Sequence, residues 1–189
     1  MTGTRILIVE DEAIIAMDLQ SKLKALGYIV TSIVDNGEAA LKKAEADQPD
    51  LILMDIRIKG AMDGIETAAL IRERSGIPVV FTTAYLEEER IDRAKITMPF
   101  GYLLKPYRER DLKVTLEMAL YVAKADAERR RIEKELAESE KRYRGILENM
   151  EEGYAEYDLS GKLVFFNDAF CNIHGYSKES LRGFNFKDL

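Results

Sequence analysis

The chain alternates between short apolar runs and longer segments in which apolar residues recur every three or four positions. Short apolar runs bounded by turn residues predict buried strands, and the longer segments predict amphipathic helices. The predicted strands are Ile6–Val9, Tyr28–Ile33, Leu51–Met54, Pro78–Thr82 and Gly101–Leu104. The predicted helices are Ala13–Leu26, Glu38–Ala46, Ile65–Arg74, Glu87–Lys95 and one that begins at Arg110.

Five strands that alternate with helices indicate a parallel sheet covered on both faces. We therefore predict an α/β fold with a flavodoxin-like, doubly wound, five-stranded parallel sheet in the order 2-1-3-4-5. In such sheets ligands bind outside the carboxyl ends of the strands, at the point where the strand order reverses. The residues that follow each strand are accordingly the candidates for a functional site.

Chemically reactive side chains follow four of these strands. Glu10 and Asp11 come directly after the first strand, Asp55 after the third, Thr83 at the end of the fourth and Lys105 after the fifth. Each acid alone is equally well explained as a solvated strand end. Together they offer the oxygen ligands that Mg²⁺ prefers, with a hydroxyl and an ammonium to hold an anion. The set is suited to phosphoryl transfer to a carboxylate.

Composition excludes several other classes of protein. The 189 residues carry a net charge of −6, which argues against a nucleic-acid partner held by phosphate neutralisation. The single cysteine, Cys171, cannot form an intramolecular disulfide, which favours a reducing, cytoplasmic setting. No apolar run approaches the length that spans a membrane, so no membrane association is expected.

The same residues carry a resemblance to a known family. Residues 1 to about 121 resemble the receiver domain of two-component response regulators and are similar to the chemotaxis response regulator. The motifs that match, in order along the βα pattern, are Glu10-Asp11, Met54-Asp55, Met62-Asp63-Gly64, Thr83-Ala84 and Tyr102-x-x-Lys105-Pro106.

The resemblance implies that Asp55 is a phosphoacceptor. It would take a phosphoryl group from a phosphohistidine on a sensor histidine kinase or phosphotransfer protein. Glu10, Asp11, Asp55 and the backbone carbonyl of Arg57 would hold Mg²⁺. The domain would then be a signalling module that catalyses only its own phosphorylation and dephosphorylation, and not an enzyme acting on other substrates.

The resemblance also assigns the remaining motif residues. Thr83 would donate a hydrogen bond to the phosphoryl group, and Lys105 would pair with it. Tyr102 would be the aromatic switch that turns inward when Thr83 moves; a half-buried strand aromatic is the alternative. The Lys105-Pro106 bond is expected to be cis.

Two features depart from the family pattern. Asp63-Gly64 lies eight positions after Asp55, where seven is usual, and Lys59 stands where many receivers have proline. The extra residue, with Arg57 and Lys59 nearby, leaves open the path of this loop and the lifetime of the phosphorylated state.

Two other functions remain as alternatives. One is a pseudo-receiver that acts as an interaction module without phosphorylation, although such modules usually lack an acid or the lysine. The other is a haloacid-dehalogenase-type hydrolase, which also pairs an aspartyl nucleophile with Mg²⁺. That family needs a second aspartate two residues after the nucleophile, where this chain has Arg57.

Residues 122–147 are predicted to be a helical linker that continues the helix beginning at Arg110. Thirteen of the nineteen residues from Lys124 to Arg142 are charged. Apolar positions nevertheless recur at heptad spacing, which favours a parallel coiled-coil homodimer, with a single charged helix as the alternative. The predicted seam is Met118, Val122, Ala125, Arg129, Ile132, Leu136, Ser139, Tyr143, Ile146 and Met150.

Residues 148–189 have the pattern of a strand, a Ser-Gly turn, a second strand and short helices, with Ser177 as a helix cap. They resemble the opening of a PAS sensor domain, an α+β fold, through Gly153 and Asp158 before the turn, Asn167-Asp168-Ala169-Phe170 after the second strand, and Gly175-Tyr176-Ser177. These 42 residues are about half of what that fold needs, so we expect a longer parent protein whose output follows Leu189, with a histidine kinase as one candidate. His174 is interpreted as neither a haem ligand nor a phosphoacceptor, Cys171 is interpreted as a small packing residue, and no PAS ligand is assigned.

Overall fold

The strands and helices follow the predicted alternation, with boundaries that shift by one residue. A computed structural model describes residues 3–84, 99–181 and 183–185. The strands are β1 (Arg5–Val9), β2 (Ile29–Val34), β3 (Leu51–Asp55), β4 (Val79–Thr83), β5 (Gly101–Leu104), β6 (Ala155–Tyr157) and β7 (Leu163–Phe166). The helices are α1 (Ala13–Ala25), α2 (Gly37–Asp47), α3 (Gly64–Ser75), α4 (Glu109–Glu148), α5 (Asp168–His174) and α6 (Lys178–Leu181). The helix predicted at Glu87–Lys95 lies outside the described residues.

The first five strands form one parallel sheet in the order β2-β1-β3-β4-β5, which confirms the predicted topology. Val9 pairs with Met54, so the residues that follow them lie side by side. Thr83 at the end of β4 pairs with Leu104 at the end of β5. This register brings the carboxyl ends of β1, β3, β4 and β5 to one edge of the sheet.

Both faces of the sheet are buried. Successive side chains of a strand point to opposite faces, so each strand contributes to two cores. In β1, Leu7 and Val9 belong to one apolar core, and Ile6 and Ile8 belong to the other. Helices α2 and α3 cover the first face, while α1 and the beginning of α4 cover the second. The tightly packed strands give the side chains at their ends a rigid support.

Helix α4 is a single helix of 40 residues, so the predicted continuity with the charged linker is confirmed. Its first turns bury Leu112, Leu116 and Ala119, and Leu120 is the last of its residues to pack against the second core. Most side chains beyond it are exposed. Within the described parts of the chain, no helix is both long and apolar enough to cross a membrane.

Internal contacts divide the chain into two units, Met1–Ala127 and Glu128–Leu189. In the second unit, β6 and β7 form the expected antiparallel hairpin. Its turn is held by Asp158, whose Oδ1 accepts hydrogen bonds from the backbone N–H of Ser160 (2.8 Å) and Lys162 (3.0 Å). The order of strand, turn, strand and short helices therefore agrees with the sequence prediction.

Candidate functional site

Three carboxylates meet at the carboxyl edge of the sheet. Glu10 follows β1, and Asp55 is the last residue of the neighbouring β3. Oxygen atoms of Glu10, Asp11 and Asp55 all lie within 4.8 Å of one another. Glu10 is 2% exposed and Asp55 is 6% exposed, so two of the three acids have lost most of their hydration.

Lys105 lies between two of these acids. Its Nζ is 2.5 Å from Asp55 Oδ2 and 2.6 Å from Glu10 Oε2. The position follows from the sheet: the Lys105 N–H donates a 2.9 Å hydrogen bond to the carbonyl of Thr83, and the Lys105-Pro106 bond is cis, as predicted. The ammonium partly compensates the two buried carboxylates.

The compensation is incomplete at Glu10. Burial raises the pKa of Glu10 to about 7, and the charge of Asp55 adds to the shift, while the contact with Lys105 opposes it. For Lys105, burial alone would lower the pKa, but the contacts with Asp55 and Glu10 outweigh burial and raise it. The lysine therefore stays charged, and the cluster retains an excess of negative charge that favours a further cation.

The loop after β3 is fixed closely against Asp55. The N–H of Arg57 donates a 3.0 Å hydrogen bond to Asp55 Oδ1, and Gly64 N–H donates to the carbonyl of Ile56 at 3.0 Å. A Cβ atom at Gly64 would collide with the carbonyl oxygen of Asp55, so a residue without a side chain is required there. The Asp63 side chain caps α3 in a reciprocal capping box with Glu66.

Asp55 opens onto a cleft of ≈ 780 Å³ that Arg57, Thr83 and Lys105 also line. Thr83 is 6% exposed at the end of β4. Tyr102 lies on β5 opposite Phe81, and their ring centroids are 6.0 Å apart. The Tyr102 hydroxyl oxygen is buried, so the ring points inward in this structure.

The cleft has further walls that sequence reasoning did not single out. Ile14, Ile15 and Asp18 from α1 line it, together with Tyr107. Burial raises the pKa of the Tyr107 phenol above its usual range. The sequence offered only one signal for Tyr107, its position two residues after Lys105 at the carboxyl edge of the sheet.

In the second unit Cys171 has the predicted packing role, whereas the side chain of His174 is exposed. Cys171 is buried in a small core with Leu163 and Leu181. His174 Nδ1 lies 3.0 Å from the carbonyl oxygen of Phe170, one helical turn away, and its ring stacks beside the Phe170 ring with centroids 4.4 Å apart.

Comparison with known proteins identifies the first unit. Residues 6–117, more than half of the chain, match the response regulator receiver domain. The chain belongs to the response regulator receiver family. Residues 141–189 match the PAS domain, which agrees with the resemblance of the second unit.

Three relatives illustrate the match. The transcriptional regulatory protein PdtaR of Mycobacterium tuberculosis is 36% identical over 116 residues, which are 61% of this chain and 56% of PdtaR. The receiver domain of a modulated diguanylate cyclase from Desulfovibrio desulfuricans is 40% identical, with a TM-score of 0.63 over 66% of this chain and 98% of that structure. The N-terminal domain of a response regulator/sensory box/GGDEF protein from Carboxydothermus hydrogenoformans is 39% identical, with a TM-score of 0.61 over 66% of this chain and 99% of that domain. The chain spans about half the length of the curated relatives that it matches.

Receiver domains are signalling modules that bind Mg²⁺ at an acidic site, and the residues of this receiver fit such an ion. Oxygen atoms of its three acids lie within 4.8 Å of one another, and opposite ligands of octahedral Mg²⁺ are about 4 Å apart. The three acids can therefore bind one cation, directly or through water. Burial, with a smaller contribution from the charge of Asp55, raises the pKa of Glu10, and a divalent cation bound at the cluster would oppose both effects by stabilising the carboxylate.

Proposed function

We propose that this receiver accepts a phosphoryl group on Asp55 from a phosphohistidine of a sensor histidine kinase or phosphotransfer protein, with Mg²⁺ as cofactor. The observation that carries the proposal is the environment of Asp55. The carboxylate is nearly buried, contacts the Lys105 ammonium at 2.5 Å, and still borders an open cleft. A partner histidine has access to the cleft, while the carboxylate is held in one orientation.

The reaction joins an Asp55 oxygen to phosphorus as the bond from phosphorus to the histidine nitrogen breaks, and the electron pair leaves with the imidazole. Lys105 then pairs with the phosphoryl oxygens as a point charge that follows the group. Thr83 donates its hydroxyl to another of these oxygens. Bound Mg²⁺, held by Glu10, Asp11, Asp55 and the Arg57 carbonyl, would neutralise negative charge on the acids and the phosphoryl group.

The test uses acetyl phosphate and Mg²⁺ with the wild-type chain and Asp55→Asn. Intact-mass spectrometry should show one added phosphoryl group on the wild type, removed by hydroxylamine, and none on the variant. Equal labelling of both proteins would show that Asp55 is not the acceptor.

The metal assignment has its own measurement. Glu10→Gln combined with Asp11→Asn removes two of the three carboxylates, so Mg²⁺ affinity in a calorimetric titration should fall sharply. Beryllofluoride should bind the wild type in the presence of Mg²⁺ and fail to bind without it. An unchanged Mg²⁺ affinity in the double variant would remove both acids from the ligand set.

We further propose that the signal passes from Thr83 and Tyr102 into α4, and through its charged part to a PAS-containing output. In this proposal residues 1–121 are the receiver, 122–147 the linker and 148–189 the beginning of the PAS domain. Thr83 moves toward the phosphoryl group, and Tyr102 adjusts on the neighbouring strand. Because α4 begins five residues after β5, a shift of β5 reaches the base of that helix.

The linker would pair with a second copy of the chain. Its apolar seam residues are exposed in the single chain, including Ile132 at 54% and Leu136 at 59%. Met150 lies two residues past the end of α4, so the helical seam ends at Ile146. Sedimentation equilibrium should show a dimerisation constant that beryllofluoride changes several-fold, with the change abolished by Thr83→Ala. A chain that stays monomeric at tens of micromolar in both conditions would refute pairing through the linker.

A further inference from the structure

The loop after Asp55, which contains the extra residue, pairs with the loop between β2 and α2. The N–H of Lys59 donates a 3.1 Å hydrogen bond to the carbonyl of Asp35, and Asn36 and Lys59 form a parallel β-bridge. Gly60 follows with φ = 106°, a left-handed conformation that favours glycine. The departure from the usual receiver loop is thus a built connection between the β3–α3 and β2–α2 loops.

This connection places a second cation beside the acidic cluster. Lys59 Nζ lies 3.4 Å from the backbone oxygen of Asp11 and 3.8 Å from Asp35 Oδ2. Glu10, Asp11, Asp35 and Lys59 also line a separate cavity of ≈ 390 Å³, distinct from the cleft that Lys105 and Thr83 line. The Lys59 side chain is 61% exposed, so its ammonium is free to shift between these oxygens.

We propose that Lys59 lowers the affinity of the acidic cluster for Mg²⁺. Its ammonium is a movable cation at the edge of the cluster, and the Asp35 carboxylate limits its effect by drawing it away from Asp11. The ammonium touches the backbone of Asp11, whose carboxylate belongs to the cluster, and it therefore opposes the approach of a divalent cation. The Asp35 carboxylate competes for the same ammonium. The inference rests on the proposed function, because it requires Mg²⁺ at Glu10, Asp11 and Asp55.

The expected effect is moderate and depends on salt. With an assumed separation of about 8 Å and a solvent-like dielectric, a single charge changes the binding of a divalent ion roughly three- to fivefold at an ionic strength of about 0.01 M. At about 1 M the Debye length is about 3 Å, and the effect should nearly vanish. The three- to fivefold change at low salt and its loss at high salt together identify a charge effect. A change in loop structure would alter Mg²⁺ affinity at both salt concentrations.

The experiment is a calorimetric titration of Mg²⁺ into the full chain at these two ionic strengths. Lys59→Gln should bind Mg²⁺ about three- to fivefold more tightly than the wild type at low salt. Lys59→Arg keeps the charge and should behave as the wild type does. Lys24→Gln is the charge-matched control, because Lys24 is an exposed residue in the last turn of α1 and lies about 16 Å along that helix from its site end.

Asp35→Asn tests the other half of the proposal. Without its carboxylate, Lys59 is free to move toward Asp11, so Mg²⁺ affinity should fall at low salt. The decrease in Mg²⁺ affinity caused by Asp35→Asn should be larger in the wild type than in the Lys59→Gln background, because part of the effect of Asp35 acts through the lysine.

Four results separate the possible failures. If Lys59→Gln binds Mg²⁺ as Lys24→Gln does, the inference is overturned. It is overturned as well if the Lys59→Gln effect persists at about 1 M salt or if Lys59→Arg reproduces it. If Asp11→Asn leaves Mg²⁺ affinity unchanged, the metal site itself is misassigned, and the proposed function fails together with the inference.

Discussion

The carboxyl edge of the sheet and the second half of α4 are both densely charged, but they hold their charges differently. At the sheet edge Glu10, Asp55 and Lys105 are nearly buried, with contacts of 2.5 and 2.6 Å. On α4 the side chain of Arg131 reaches Glu128 and Glu135 while all three remain more than half exposed. Ion pairs of the first kind involve large desolvation terms, whereas exposed pairs contribute about 0–1 kcal/mol.

The apolar residues of the two regions differ in burial in the same way as the charges. Those of β1 and β3 are buried and fix the positions of the acids that follow, while those of α4 beyond Leu120 face solvent in the single chain. Charge alone therefore does not identify a functional site. The packing beneath the charges decides whether they are positioned for chemistry or keep a helix soluble.

The largest expected effect comes from replacing one leucine by alanine in each region and comparing the losses of stability. Leu53→Ala, at a position 1% exposed in β3, should lower the free energy of unfolding by about 2–5 kcal/mol. Leu136→Ala, at a position 59% exposed, should change it by less than about 0.5 kcal/mol at concentrations where the chain is monomeric. Hydrogen exchange measures both, at the β1 and β3 amides for Leu53→Ala and at the α4 amides around Leu136 for Leu136→Ala. Equal losses would show that the seam of α4 is already packed within one chain.

The next effect lies in the second unit, at Asn167. This fully buried amide accepts hydrogen bonds from the N–H groups of Tyr154 and Phe170 and donates to the carbonyls of Leu147 and Glu152. Asn167→Ala should lower protection of the β6 and β7 amides by about 1–3 kcal/mol or more, because several buried groups lose partners.

Asn172→Ala, at an exposed position of α5, is the matched control and should change little. If both substitutions have the same effect, the amide of Asn167 does not join the end of α4 to the hairpin.

A smaller effect is expected for self-association. Leu136→Ala should weaken the proposed dimer by about 1–3 kcal/mol, which is a roughly five- to 150-fold change, because one buried leucine is lost from each copy. Sedimentation equilibrium measures the change. Glu140→Ala, at an exposed position outside the seam, is the control, and a dimer that neither substitution weakens would lie elsewhere.

The smallest effect concerns the exposed ion pairs. Arg131→Ala removes contacts of 2.8 Å to Glu128 and 3.6 Å to Glu135. It should lower helix stability by no more than about 1 kcal/mol, and salt at about 1 M should remove the difference. Thermal unfolding followed by circular dichroism at low and high salt tests this, and a loss of several kcal/mol would contradict the contrast between the regions.

Most of the fold and site followed from local patterns in the sequence. Short apolar runs such as Ile6–Val9 have few ways to be buried, and parallel packing then brings the acids after β1 and β3 together. The assignment of Lys105 as the partner of Asp55 rested on its place after the fifth strand and on the family resemblance.

Other features depend on contacts between residues far apart in the chain. The β-bridge from Lys59 to Asn36 fixes a loop path that the extra residue alone left open. The sharing of Lys105 between Asp55 and Glu10 depends on side-chain geometry to within a few tenths of an ångström. The four hydrogen bonds of Asn167 likewise join segments up to 20 residues apart. No pattern within one segment encodes such contacts.

The most direct test of the central claim is to locate the phosphoryl group. After reaction with acetyl phosphate and Mg²⁺, borohydride reduces an aspartyl phosphate to an alcohol, which leaves a stable mark at the modified residue. Peptide mapping by tandem mass spectrometry should find that mark at Asp55 and at no other carboxylate, with Asp55→Asn unmarked. A mark at Glu10 or Asp11, or equal marking without Mg²⁺, would contradict the account.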